Sequence, residues 1–166
     1  MRKREAAQQR RHAGEFEAFV AGAAGRLLHV ATLLSGEPPG SNPHAQHLLA
    51  AAFACTYVRW DSLRGEDPYD RTRQELAARF ARTAWHHRRP RRQPGHGGVL
   101  ESLTAQERLI VVLRLYEGVP EEQTAAQIGL PVQRVRAICA RAVSQVYESA
   151  RGPQPQGPRG RAAAAP

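Results

Sequence analysis

The sequence predicts an all-α protein of two small helical domains joined by a flexible basic linker. Three observations carry that expectation. Apolar residues recur three and four positions apart through several long strings. No stretch alternates apolar and polar residues as a half-buried strand would. The run "RRPRRQPGHGG" at 88–98 packs two prolines, three glycines and four arginines between two groups of such strings, and it cannot continue a helix.

Taken in order, residues 1–14 read as a basic N-terminal arm. The first helical domain spans 15–87. Its first string runs from Glu15 to about Leu34, with Phe16, Phe19, Val20, Ala23, Leu27, Val30, Ala31 and Leu34 on one stripe. "SGEPPGSNP" breaks it. The second string, from about Pro43 to Leu63, has Leu48, Leu49, Ala52, Phe53, Thr56, Tyr57 and Trp60 on a broad apolar face. Asp67 is the expected N-cap of the third, with Pro68 at the first helical position. That string runs from Tyr69 to about His87, with Leu76, Phe80 and Ala84 inward and arginines on its other side. The linker covers 88–100. In the second domain, 101–148, Thr104 and Glu107 have the spacing of a capping box, and that helix is expected to end at Gly118. Pro120 opens a short helix that ends at Gly129, and a last helix runs from Pro131 or Val132 to about Glu148. The tail, 149–166, is low in complexity and is expected to be disordered.

The 166 residues carry a net charge of +9. The excess sits in the arm, the linker and the tail, while 15–87 and 101–148 are each nearly neutral. Lys3 is the only lysine, so the cations are arginines. Solubilising arms and a nucleic-acid track both fit this distribution. Cys55 and Cys139 lie in apolar helical patterns, without the spacing of a metal or redox site. No metal and no cofactor are expected. The seven histidines are scattered and no nucleophile or phosphate-loop motif appears, which argues against an enzyme. No apolar run approaches the roughly 18 residues of a membrane span, and the basic start has no apolar segment behind it, so a cytoplasmic protein without a membrane partner is expected.

The stretch "EEQTAAQIGLPVQRVRAICARA", 121–142, has the form of a helix-turn-helix. The small residues Ala125 and Ala126 allow close helix approach. Ile128 anchors the core, Gly129 suits a left-handed helix end, and Pro131 suits a helix start. Val132, Val135, Cys139, Ala142 and Val146 then make an inward seam. Gln133, Arg134, Arg136, Ala137 and Arg141 remain outside or on the flank, where the second helix of this motif meets the major groove. A plain helical hairpin with a solvated arginine face is the alternative.

"LESLTAQERLIVVLRLYEGVPEEQTAAQIGLPVQRVRAICARAV" resembles region four of RNA polymerase sigma factors of the extracytoplasmic-function (ECF) group, on Leu103, Arg108, Val112, Leu113, Arg114, Tyr116, Glu117, Ala125, Ile128, Gly129, Val135, Arg141 and Ala142. The resemblance covers about residues 15–148. It implies that Arg134, Arg136 and Ala137 touch the upstream (−35) promoter element and that Arg141 holds a phosphate. Gln133 and Ile138 depart from the family's pattern there. "FEAFVAGAAGRLLHVATLLSG" and "AQHLLAAAFACTYVRWDSL" are similar to region two, on Phe53, Tyr57, Arg59 and Trp60. Where the family docks the polymerase clamp, this chain has Gln46, His47, Leu49, Ala50 and Phe53. Gln46 and His47 replace an acidic pair and Ala50 a glutamine, a change that weakens or retargets docking. "DPYDRTRQELAARFARTAWHHRR" is similar to the helix that reads the melted (−10) element, through Arg79, Arg82, Trp85, Arg88 and Arg89. Arg79 and Thr83 stand where the family has Asn and Asp. For Trp85, core packing and base stacking both remain open.

The resemblance implies a DNA-binding transcription initiation factor that directs RNA polymerase core to specific promoters and does no chemistry itself. Promoter DNA and the core enzyme are the implied partners, with an anti-sigma factor as a further candidate. The competing expectation is a divergent sigma-like regulator that binds DNA or a regulatory protein without forming an active holoenzyme. A third is a helical interaction module whose arginines only solubilise it.

Overall fold

The computed structural model of the protein describes residues 2–63, 65–86 and 98–151, without the side chains of residues 2–6, 85 and 86. Its helices are α1 (Arg2–Ser35), α2 (Pro43–Val58), α3 (Pro68–His86), α4 (Ala105–Val111), α5 (Glu121–Ile128) and α6 (Val132–Arg151). A short 3-10 turn, Trp60–Ser62, follows α2, and a π-helical turn, Val112–Tyr116, continues α4. No strand occurs among the described residues. The fold is all-α, with α1, α2 and α3 bundled together and α4, α5 and α6 forming a second group.

Local chemistry sets most boundaries. The Asp67 carboxylate accepts from the Tyr69 backbone N–H at 2.9 Å, and Pro68 opens α3. Thr104 and Glu107 form the expected capping box at the start of α4. Gly129, at φ 70°, ends α5 in the left-handed conformation. The start of α2 is capped from a distance. Both oxygens of Glu37 accept backbone N–H groups, from His44 at 3.1 Å and Ala45 at 2.8 Å. Its N-cap residue, Asn42, instead donates to the Thr32 hydroxyl at 2.8 Å.

Three expectations change. The apolar stripe alone starts α1 at Glu15, but the helix begins at Arg2. The arm is rich in Arg, Ala and Gln, which are good helix formers, and His12 meets Asp61 at 2.7 Å. No span of membrane length was expected, yet Ala7–Ser35 is long and apolar enough to cross a membrane by length and composition alone. Residues 18–35 hold a single charged side chain, Arg26, among many Ala and Leu residues, and Leu27, Val30, Ala31 and Leu34 are buried in the protein core. Finally, α4 does not run regularly to Gly118. The Glu117 N–H bonds to the Val112 carbonyl, five residues back, at 3.0 Å, and the Val119 N–H to the Leu113 carbonyl at 2.9 Å.

One apolar core runs through both helical groups. It joins Leu27, Val30 and Leu34 of α1 and Leu76 and Phe80 of α3 to Leu109, Ile110, Leu113 and Ile128. Between α2 and α3, the buried hydroxyls of Thr56 and Thr72 bond to one another at 2.9 Å. Phe16, Phe19, Phe53, Tyr57 and Trp60 form a half-exposed aromatic cluster with ring centroids 4.9–6.3 Å apart.

The polar join between the groups is Glu117. Its side chain has no solvent exposure. Arg26 donates to it from α1 at 3.1 Å, the Tyr69 hydroxyl from α3 at 3.0 Å, and Arg73 of α3 approaches at 3.5 Å. Arg26 also lies over the Tyr69 ring, 5.3 Å from its centroid. Burial, then the neighbouring carboxylate, raise the Tyr69 phenol far above its ordinary pKa, so it stays a donor. Arg108 adds a second join: its Nη1 donates to the Leu34 carbonyl at the end of α1 at 3.1 Å.

Glu117→Ala removes the carboxylate but leaves the buried Arg73 and the half-buried Tyr69 hydroxyl without it, so urea unfolding should report a loss of about 3 kcal/mol. A loss typical of an exposed pair, about 1 kcal/mol or less, would show that the donors find water instead.

Candidate nucleic-acid interface

The helix-turn-helix is built by α5 and α6. Ala125 and Ile128 of α5 are buried against Val135, Ile138 and the partly buried Val132 and Cys139 of α6. Ala126 is exposed, so only one alanine of the expected pair serves the close approach. Ile138 is buried, 4% exposed, and faces the core. Its departure from the family's arginine therefore falls on the inward face and removes nothing from the outer one.

The outer face of α6 presents Gln133, Arg134, Arg136, Ala137 and Arg141, all exposed. Two of the three arginines are tethered. The Nε and Nη2 groups of Arg136 both donate to one oxygen of Glu121, at 3.0 and 2.7 Å. The same two groups of Arg141 donate to one oxygen of Glu107, at 3.2 and 2.9 Å. Both arginine side chains remain about two-thirds exposed, at 65% and 66%. Arg134 has no ion pair among the described residues.

The carboxylates are held from behind. The Arg114 guanidinium of the π turn lies 3.6 Å from Glu121 and donates to the Val119 carbonyl. The hydrogen bond from Arg136 holds the Glu121 carboxyl below its ordinary range. Burial opposes ionisation of Glu107, but hydrogen bonds from Thr104 and Arg141 outweigh it and depress its pKa.

The capping box was legible in the sequence, but its link to Arg141 was not. Glu121 and Arg114 were not expected at this site at all. Their meeting with Arg136 depends on the angle at which α5 and α6 cross, and no residue spacing encodes that angle.

On the first helical group, Arg79 and Arg82 of α3 line a shallow groove with His44, His47, Leu48 and Ala51 of α2. Residues expected to meet DNA and a residue expected to meet the polymerase thus share one groove. Arg79 donates to the Cys55 sulfur at 2.7 Å, and Arg82 is exposed. The Trp85 side chain lies outside the described residues, as do Arg88 and Arg89. On α2, His47 and Ala50 are exposed and Gln46 donates to Asn42 at 2.9 Å. Phe53 sits in the aromatic cluster. Leu49 does not belong on a docking face. It is 6% exposed and packs into the core, because α2 turns its Ala45–Leu49–Ala52 side inward.

Residues 99–148 match the family described as Sigma-70, region 4. That segment begins in the turn before α4 and ends within α6. Over 154 residues the chain is 27% identical to the RNA polymerase sigma-E factor of Streptomyces coelicolor, covering 81% of this chain and 85% of the relative. It is 26% identical to the RNA polymerase sigma-E factor of Streptomyces avermitilis over 154 residues, covering 81% and 84%. No solved structure matches the chain.

The depressed Glu107 carboxyl makes this interface sensitive to acid. A carboxylate with a lowered folded-state pKa adds stability that is complete above its ordinary value of 4.5 and is lost as pH falls through the folded value. Unfolding free energy measured against pH should therefore fall less steeply below about pH 4.5 for Glu107→Gln than for the natural chain. Parallel curves would show that the tether contributes nothing.

Proposed function

We infer that this chain is an RNA polymerase sigma factor of the ECF group, which directs the core enzyme to specific promoters. One observation carries the reading: the segment that matches sigma region 4 is the segment whose last helix carries an exposed row of arginines over a helix-turn-helix. Similarity along most of the chain to two sigma-E factors supports it.

On this reading α4, α5 and α6 hold the upstream promoter element. Arg134 and Arg136, with Gln133 and Ala137, meet base edges and neighbouring phosphates, and Arg141 holds the backbone. The first helical group, residues 15–87, does the work of region two. Arg79 and Arg82, continued by Trp85, Arg88 and Arg89, would track the melted downstream element through phosphate contacts and stacking. His47, Ala50 and Phe53, with Gln46 beside them, would meet the core enzyme. That contact is uncharged where the family's is acidic, so it depends on shape and apolar burial more than on steering. An anti-sigma factor is a further partner of this reading. The setting is the cytoplasm, with no membrane partner, and the chain carries out no reaction of its own.

Co-purification with RNA polymerase core tests the reading. Stoichiometric capture that a competing ECF sigma factor displaces is the expected result. Failure of a folded chain to be captured, with the control sigma factor working, would overturn the initiation-factor role and leave a DNA-binding regulator. In promoter binding by the holoenzyme, Arg134→Ala and Arg136→Ala should each cost about 1–3 kcal/mol if they read bases. Equal affinity for all three proteins would remove α6 from the interface.

A further inference from the structure

The tether between Glu121 and Arg136 has a geometry that bears on how a base would be read. A guanidinium offers two useful paired-donor edges. One is made by Nε and an Nη, the other by the two Nη groups. Glu121 takes the first, receiving both Nε and Nη2 on a single oxygen at 3.0 and 2.7 Å. The Nη1–Nη2 edge remains for a ligand, and it is the edge of a side chain still 65% exposed. Arg136 is the fifth residue of α6, within the N-terminal half that this motif presents to the major groove. Guanine shows two acceptors there, O6 and N7, spaced for a pair of parallel N–H donors.

We propose that Glu121 is a positioning residue for promoter reading, which fixes Arg136 so that its free edge meets a guanine in the upstream element. The proposal rests on the sigma-factor reading above and adds to it a residue and a base. Glu121 suits the task because it is itself immobilised. It sits in the first turn of α5, with the Arg114 guanidinium 3.6 Å behind it. Arg114 is pinned by its bond to the Val119 carbonyl. The line from the π turn through Arg114 and Glu121 to Arg136 therefore restrains the guanidinium before DNA arrives, and less side-chain freedom remains to be lost on binding. The cost is a negative charge close to the phosphates, which lowers affinity for DNA of any sequence. Arg134, without such a tether, contributes charge with no preset orientation. A residue that trades general affinity for orientation raises discrimination more than strength.

Two variants separate orientation from charge. Glu121→Ala removes both the acceptor and the charge, whereas Glu121→Gln removes the charge and keeps an acceptor for Arg136. The full chain, alone and with RNA polymerase core, is used to select from a random duplex library. Affinities are then measured for the selected duplex, for its single-base variants and for an unrelated duplex. With Glu121→Ala, discrimination at one G·C pair should fall about tenfold. Affinity for the unrelated duplex should rise, and the salt dependence should steepen by about one phosphate's worth. With Glu121→Gln, non-specific affinity should rise in the same way while most of the discrimination survives. In the Arg136→Ala background, Glu121→Ala should change discrimination no further. Unchanged discrimination in Glu121→Ala would overturn the proposal. So would a loss shared equally by every duplex, since that marks a mere staple between α5 and α6. If the natural chain enriches no duplex in either form, the sigma-factor reading fails first and takes the proposal with it.

Discussion

The arrangement depends on one buried carboxylate. Glu117 belongs to the second helical group, but its hydrogen-bond donors, Arg26, Tyr69 and Arg73, all belong to the first. A carboxylate without solvent exposure is tolerated only when its charge and lone pairs are matched nearby. Glu117 therefore fixes where α1 and α3 lie against the π turn, and with them the apolar core that runs from Leu27 to Ile128. Arg108 acts about two turns further along α1, at its C-terminal end, where its guanidinium crosses Gly36 so closely that a Cβ there would lie 2.6 Å from Nη1. Gly36 is at φ 72°, which favours glycine, whereas the Arg108 tip could shift to admit a side chain.

What could be read from the sequence followed what is local. The all-α class, the stripes of α1, α2 and α3, the Asp67–Pro68 start of α3, the capping box at Thr104 and the left-handed end at Gly129 all rest on residues within one or two turns of each other. What escaped depends on contacts between distant segments. The N-terminal part of α1 meets the rest of the fold at His12, which pairs with Asp61, 49 residues on. The Glu37 cap acts seven and eight residues ahead, across a loop. Glu117 meets partners 44 to 91 residues away. No periodicity in one segment reports such distances.

The candidate interface divides in the same way. The outer row of α6 was legible because the seam through Val135 and Ala142 leaves Arg134, Arg136 and Arg141 no place inside. The carboxylates that hold two of those arginines were not legible. The resemblance misled at Leu49, which the apolar pattern itself had placed on the inward face, and the small-residue pair misled at Ala126. In α2, which lacks any charged residue from Pro43 to Val58, only packing against α1 and α3 settles the matter.

The π turn has a consequence for how this segment can change. It accommodates one residue more than a regular helix of the same span. Deleting one residue between Val112 and Tyr116 would let the same span close as an ordinary helix, with the residues on either side keeping their faces. Glu117 lies just past the turn and would stay within reach of Arg26, Tyr69 and Arg73, while Arg114, inside the turn, would be displaced against Glu121. A change of length here is therefore absorbed locally: it spares the joint between the helical groups and falls on the support of Arg136.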